Sequence, residues 1–307
     1  MVVHQDPPRS PSPDDALEFF ADSLESLYDH HMPAKGDPLA LFTYSSPSSS
    51  AHPQPLTVRL PPQQVNELFA HFVWNASLRM ADALAEGRIR VEAEQVLELG
   101  AGAGIPGLVA ARMGASRVVL SDYDDPLLIA NLRDNISLAF PDSPAARERI
   151  RAVGHSWGEQ TSLEAVLAAN SPSPSPFAHI LLADTLWYSS GHALLLSSLQ
   201  HLLARTASAR IHVCAGFHSG RATVRSFLKK AEKVGFIRRG EWEEVGVDGR
   251  RREWGWDVQG EEGEWEEKED ASERNKWVVE GDLGWSDEAL REDGAARIEQ
   301  WTPADGA

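Results

Sequence analysis

Short apolar segments alternate along most of the chain with longer amphipathic ones. The apolar segments predict buried parallel strands at residues 96–99, 117–122, 151–155, 179–184 and 210–215. The amphipathic segments predict helices from residue 108 onward and at residues 126–138, 163–169, 192–205 and 221–234. Strands that alternate with helices are typical of a doubly wound, mostly parallel sheet with right-handed crossovers. We therefore predict an α/β fold.

The pattern changes near the C-terminal end of the chain. Two strand-like segments, residues 241–247 and 250–258, flank Asp248 and Gly249, a pair typical of a tight hairpin turn. Residues 275–280 predict a further strand. We therefore expect antiparallel strands beside the parallel ones.

Changes in composition divide the chain into regions. Residues 1–13 are rich in proline and serine and are predicted to be disordered. The other predicted regions are an N-terminal extension at 14–94, a main domain at 95–285 with an acidic insertion at 259–274, and a tail at 286–307. Within the extension, a helical pattern over residues 63–85 is interrupted at 74–77. We predict a turn there, with Asn75 or Ser77 capping the helix that follows.

Bulk properties exclude several classes of protein. The formal net charge of -17 argues against nucleic acid as the main partner, although it suits a basic protein. The single cysteine, Cys214, supports neither a disulfide framework nor a thiolate metal cluster. No apolar run approaches the length of a membrane span, and no early segment resembles a signal peptide. We expect a monomeric cytoplasmic protein with no metal and no membrane partner.

Three alternating glycines, Gly100, Gly102 and Gly104, follow the strand at 96–99. Glycine lets the backbone turn sharply and lets a ligand lie against it, and the next helix directs free N–H groups toward the turn. Asp122, at the end of the following strand, is placed to accept hydrogen bonds from ribose hydroxyls. The pattern predicts a nucleotide-type cofactor loop, but such loops also serve NAD and FAD.

Several segments taken together resemble one family, the S-adenosylmethionine-dependent methyltransferases with a seven-stranded sheet. Within it, the chain is similar to the fungal N-terminal and lysine methyltransferases of elongation factor one-alpha, and to related protein-lysine methyltransferases. The segments are the series Glu98-x-Gly100-x-Gly102-x-Gly104 and residues 72–76, 122–126, 156–158 and 183–188. The resemblance covers roughly residues 57–256. It implies a doubly wound, seven-stranded, Rossmann-like sheet with a C-terminal antiparallel hairpin.

The resemblance also implies a set of site residues. Those that would bind S-adenosylmethionine are Trp74, Glu98, Gly100, Ala101, Gly102, Asp122, Trp157 and Ala183. Those that would face the transfer centre are Asp184, Trp187 and Tyr188. Related lysine methyltransferases carry Asp-x-x-Tyr after this strand, whereas this chain carries Trp187 with Tyr188 beside it. This difference from the family motif affects the prediction of the substrate and not that of the cofactor.

The chemistry implied is methylation of an amine. An ammonium group must lose a proton before it attacks, so Asp184 would orient it, while Trp187 and Tyr188 would enclose it by cation–π contact. The substrate expected is a protein amine, a lysine or an N-terminal amine, with elongation factor one-alpha as the implied partner. Three alternatives remain open: a small amine such as nicotinamide, an NAD-dependent oxidoreductase, and a binding module without catalysis.

Overall fold

The computed structural model describes residues 34–46, 55–63, 69–170, 175–254 and 274–291. The predicted disordered segment 1–13 lies outside these ranges. So do residues 14–33 of the predicted extension, nearly all of the acidic insertion 259–274 and the tail beyond residue 291.

The described residues contain twelve strands and eight α-helices. The strands are β1 Ala34–Lys35, β2 Leu41–Tyr44, β3 Leu56–Arg59, β4 Val73–Trp74, β5 Gln95–Leu99, β6 Arg117–Asp122, β7 Ile150–Gly154, β8 His179–Ala183, β9 Arg210–Gly216, β10 Phe236–Gly246, β11 Arg251–Glu253 and β12 Trp277–Trp285. The helices are α1 Asn75–Ala85, α2 Ile105–Arg112, α3 Pro126–Ala139, α4 Pro144–Glu148, α5 Gln160–Ala169, α6 His192–Leu202, α7 Arg221–Lys233 and α8 Asp287–Arg291.

The central sheet has the strand order β11-β10-β12-β9-β8-β5-β6-β7. Strands β9, β8, β5, β6 and β7 run parallel, and β12, β10 and β11 are antiparallel to their neighbours. The chain first builds outward from β5 through β6 to β7 and then returns to add β8 on the other side of β5. A crevice therefore opens at the carboxyl ends of β5 and β8, where ligands bind in folds of this kind.

Side chains of successive residues in the central strands pack into two separate hydrophobic cores. Val96, Val118 and Leu120 pack with the side chains of α1, α2 and α3 on one face. Leu97 and Val119 pack with those of α5, α6 and α7 on the other. Because strand side chains alternate between faces, a strand covered on both sides reads as a continuous apolar run. The predicted mixed α/β fold is confirmed.

Three sequence predictions need correction. The hairpin adds a short eighth strand, β11, to the seven expected, since the turn at Asp248 and Gly249 folds it back onto β10. Helix α2 begins at Ile105 rather than at residue 108, because a left-handed Gly104 starts it and proline is well suited to the first turn. The turn predicted at 74–77 is wrong. Trp74 pairs with Ala34 in β4, and α1 starts at once without a side-chain cap.

Candidate functional site

The glycine turn lies at the mouth of the crevice between β5 and β8. Gly100, Gly102 and Gly104 have φ values of +66°, +55° and +80°, a region that residues with a Cβ rarely adopt. A Cβ at Gly100 would lie 2.7 Å from Thr185 Cγ2, just past the end of β8. The turn is therefore glycine-dependent both in its conformation and in its close approach to the neighbouring strand.

Asp122, at the end of β6, is hydrogen-bonded to this turn. Its Oδ2 accepts the backbone N–H of Gly102 at 2.6 Å, and its Oδ1 accepts that of Tyr123 at 2.7 Å. Burial raises the pKa of the carboxyl to about 6, although both N–H donors act to lower it. These two hydrogen bonds hold the carboxyl group of Asp122 directly beside the backbone of the glycine turn.

Glu98 is fully buried, two residues before the first glycine. Its Oε2 accepts the backbone N–H of Gly107 at 2.9 Å, in the first turn of α2. Burial raises the pKa of Glu98 to about 8; the Gly107 bond lowers it and the nearby Asp122 charge raises it. Glu98 therefore fixes the start of α2 against the end of β5. It thereby supports the glycine turn, which joins these two elements.

A second support for the turn comes from α3. Asn135 Nδ2 donates to the carbonyl of Ala103 at 3.0 Å and to that of Arg59 at 2.8 Å, and its Oδ1 accepts the Arg59 N–H at 2.7 Å. Asn131 Nδ2 also donates to the Arg59 carbonyl, at 3.0 Å. Asn135 thus links β3 to the glycine turn. Helix α3 itself is capped by Asp125, which accepts the N–H groups of Leu127 and Leu128.

Trp157 follows β7 and lies beside the glycine turn. Its Cζ2 lies 3.9 Å from the position that a Cβ of Gly100 would occupy, and the ring is half-buried. The backbone N–H of Gly158 donates to Ser198 Oγ at 2.9 Å, which fixes the loop that carries the indole. Asp122 and Trp157 therefore both border the glycine turn, Asp122 at Gly102 and Trp157 at Gly100.

Asp184 follows β8 directly and is buried. It adopts a left-handed φ of +60°, which is costly for a residue with a Cβ. Its N–H donates to the carbonyl of Cys214 at 2.8 Å, and its Oδ1 accepts the N–H of Gly216 at 3.0 Å. Burial raises the pKa of Asp184, while His218 and the Gly216 N–H lower it. Ala183, the last residue of β8, is buried beside Cys214 in the adjacent strand.

Aromatic rings border the same strand ends. The indole of Trp74 stacks on the His218 imidazole, with centroids 4.8 Å apart and an interplanar angle of 27°. Phe69 makes edge contacts with Trp187 at 5.3 Å and with Trp74 at 6.4 Å. Tyr188, which is 48% exposed, contacts Trp187 at 5.7 Å. Trp74 and Trp187, which belong to two separate predicted motifs, thus both contact Phe69.

The structure adds residues that sequence reasoning missed. His218 Nε2 lies 3.9 Å from Asp184 Oδ1, and Thr185 packs against Gly100. The available signal for His218 was its place just after β9, the strand beside the one that ends at Asp184. His192, by contrast, is buried, and its Nε2 is bonded to the Leu186 carbonyl at 2.8 Å, so it stabilises the loop before α6.

The residues at the mouth fit a nucleoside-bearing ligand. The backbone of the glycine turn is open at Gly102, where an added Cβ would meet only the Ala70 carbonyl oxygen, at 3.6 Å. Two buried hydroxyls, those of Ser121 and Thr185, have no hydrogen-bond partner within the described ranges. Those ranges contain no group of three acidic, histidine or cysteine side chains able to hold a metal ion, and no helix long and apolar enough to span a bilayer.

Comparison with known proteins agrees with this geometry. A family model described as "Lysine methyltransferase" matches residues 54–234. A "Protein N-terminal and lysine N-methyltransferase efm7" from Schizosaccharomyces pombe is 33% identical over 153 residues, which cover 50% of this chain and 58% of the relative. A relative of the same name from Gibberella zeae is 31% identical over 191 residues, covering 60% and 68%. This chain spans about half the length of the first relatives that it matches.

Solved structures support the fold. One protein described as a methyltransferase, crystallised in complex with SAH, superposes with a TM-score of 0.51 at 12% identity. The alignment covers 81% of this chain and 57% of that one. At this level of identity the likeness concerns the arrangement of strands and helices.

Proposed function

The chain belongs to the lysine methyltransferase family, and we propose that it transfers a methyl group from S-adenosylmethionine to an amine nitrogen of a protein. The acceptor that we propose is a lysine side chain or an N-terminal amine. One observation carries the proposal. The glycine turn held by Asp122 and the buried carboxylate of Asp184 lie at the carboxyl ends of β5, β6 and β8, strands that neighbour one another in the sheet.

The glycine turn and its neighbours would bind the cofactor. Backbone groups of Gly100, Ala101 and Gly102 would line it, and Asp122 would accept the ribose hydroxyls. Trp157, which borders Gly100, would lie against the adenine. The other three predicted residues have distinct places. Ala183 ends β8, Trp74 stacks on His218, and Glu98 bonds the Gly107 N–H.

S-adenosylmethionine, when bound, supplies a methyl group on a positively charged sulfur. The protein therefore needs no covalent intermediate, and its contribution is to position a deprotonated amine and exclude water. Asp184 would hold the amine, since the carboxylate is buried and its Oδ1 is already fixed by the Gly216 N–H. Trp187 and Tyr188 would pack against the cationic group.

A protein substrate is favoured over a small amine. The relatives are named for protein N-terminal and lysine methylation, and the chain carries a net charge of -17, which would attract a basic partner. Following the resemblance, we propose elongation factor one-alpha as the first partner to test. The predicted domain at 95–285 would carry the cofactor, and the extension at 14–94 would add Trp74 to the site.

Labelled cofactor separates the alternatives. The protein is incubated with methyl-labelled S-adenosylmethionine and, in parallel, with a fungal lysate, purified elongation factor one-alpha, or nicotinamide. We expect a labelled protein band, removed when Asp184→Asn replaces the wild type. Label found only in a small product would reject the protein substrate. Calorimetry provides an independent check on the cofactor: tight binding of NAD with no affinity for S-adenosylhomocysteine would reject methyl transfer altogether.

A further inference from the structure

His218 lies at the site but has no part in the chemistry described so far. Strands β8 and β9 pair in parallel, with Ala183 opposite Cys214, so the residues that follow each strand meet at one edge of the sheet. His218 follows β9, and its Nε2 lies 3.9 Å from Asp184 Oδ1. The imidazole therefore stands beside the carboxylate proposed to hold the amine.

Contacts on two sides fix the position of the imidazole ring. The indole of Trp74 stacks on it at 4.8 Å, and Trp74 is itself held by a hydrogen bond from its Nε1–H to the Phe69 carbonyl at 3.1 Å. On the β9 side, a Cβ at Gly216 would lie 2.9 Å from His218 Nδ1, so only glycine leaves room for the ring at this distance. The ring is thus placed by the N-terminal part of the chain and by a glycine in the strand.

The ring also has an unused hydrogen-bonding atom. His218 Nδ1 is buried and has no hydrogen-bond partner among the residues that the structure describes. An unsatisfied buried nitrogen is costly, and such groups are usually paired in folded proteins. The neighbouring Asp184 is held in a strained backbone conformation, a feature that clusters at functional sites. The imidazole and the strained carboxylate thus lie together at one edge of the sheet, 3.9 Å apart.

We propose that His218 takes up the proton that the substrate ammonium must lose before methyl transfer. This inference rests on the proposed function. One N–H bond of the ammonium breaks, its electron pair stays on the nitrogen, and the proton bonds to the imidazole. The nitrogen pair then forms the new N–CH₃ bond while the pair of the S–CH₃ bond leaves with sulfur. The imidazolium charge is balanced by Asp184 until the proton passes to solvent.

The charged surroundings of His218 suit this role. Among the described charged side chains, Asp184 is the one that pairs with the ring. Cys214, on the same strand as Gly216, is a buried thiol whose pKa burial raises strongly, so it stays neutral. The charges of Glu280, Asp184, Arg79 and Arg88 act on that thiol. The aromatic neighbour of the imidazole is Trp74, whose indole stacks on it.

The test is the pH profile of kcat/KM for methyl transfer to the protein substrate. In the wild type we expect kcat/KM to rise with pH. The His218→Gln variant should lose that dependence, and its kcat should fall at least about 100-fold. Its affinity for S-adenosylhomocysteine, measured by calorimetry, should stay within about threefold of wild type. Added imidazole should partly restore His218→Ala.

A matched control is His201→Gln. His201 lies on α6, is half-buried and bonds only a backbone carbonyl of its own helix among the partners described, that of Ser197. It should keep both the rate and the profile of the wild type. An unchanged profile in His218→Gln, or a cofactor affinity that falls in step with the rate, would overturn the role while the proposed function stands. A wild type that labels no protein amine at any pH rejects both together.

Discussion

The backbone N–H of Gly102 donates to Asp122 Oδ2 across 2.6 Å, which joins the turn after β5 to the end of β6. The second oxygen of the same carboxylate accepts the N–H of Tyr123. Asp122 therefore shapes the glycine turn through both of its carboxylate oxygens. The residue expected to bind the ribose therefore also stabilises the backbone turn of the proposed cofactor site.

Replacing Asp122 with alanine should weaken both the frame and the cofactor site. The N–H groups of Gly102 and Tyr123 would lose their acceptor, a loss worth about 1–3 kcal/mol. We expect the affinity for S-adenosylhomocysteine to fall roughly 10- to 100-fold, measured by calorimetry. Asp134→Ala, at an exposed position on α3, is the control and should leave the affinity unchanged. Wild-type affinity in Asp122→Ala would remove this residue from the site.

Alanine substitutions at two glycines distinguish the cost of backbone strain from that of a steric clash. Gly100 and Gly87 both have left-handed φ values, +66° and +72°, so alanine should cost roughly 1–2 kcal/mol at either position. Only at Gly100 does an added Cβ meet another residue, Thr185, whereas nothing lies within 4 Å at Gly87. Both variants should therefore unfold more easily in denaturant. The Gly100→Ala variant should in addition lose affinity for S-adenosylhomocysteine, and equal affinities in the two variants would contradict the close approach.

Glu98 should make stability depend on pH. The native state keeps the proton of Glu98 up to about pH 8, while the unfolded chain releases it near its ordinary pKa of 4.5. Between these values the native state binds more protons, so the free energy of unfolding falls as pH rises, by up to about 1.4 kcal/mol per pH unit.

Glu98→Gln removes this titration and keeps an acceptor for the Gly107 N–H. Compared with the wild type, the variant should gain stability steadily from pH 5 to pH 8 in urea unfolding experiments. Other titrating groups are shared by both proteins and cancel in the difference. Glu94→Gln, at an exposed position just before β5, should show no such trend. A flat difference for Glu98→Gln would mean that Glu98 is ionised in the native state.

Asp184→Asn should separate transfer from binding. Asparagine keeps an oxygen for the Gly216 N–H, so the local fold is retained, but it lacks the charge that would hold an ammonium group. We expect kcat to fall by about 100- to 10,000-fold with cofactor affinity within about threefold of wild type. Steady-state kinetics and calorimetry on the same preparation give both values. If affinity and rate collapse equally, Asp184 supports the cofactor pocket rather than the reacting amine.

The sequence alone predicted the parallel strands and most helix positions. Periodicity is a local property, and a strand covered on both faces, such as β5, must be apolar throughout. The glycines, Asp122 and Asp184 could be found in the same way, because each follows an apolar run that predicts a strand.

Contacts between distant segments were decided only by the tertiary structure. The sequence predicted a turn at Trp74, but pairing with Ala34 made it a strand residue, and its stacking partner proved to be His218. The resemblance implied that Glu98 binds the cofactor, whereas its bond to the Gly107 N–H depends on how α2 packs over β5. The sequence determined which residues end each strand, since that follows from local pattern. The folded sheet decided which of those ends lie side by side, because strand order is set by packing across the whole chain.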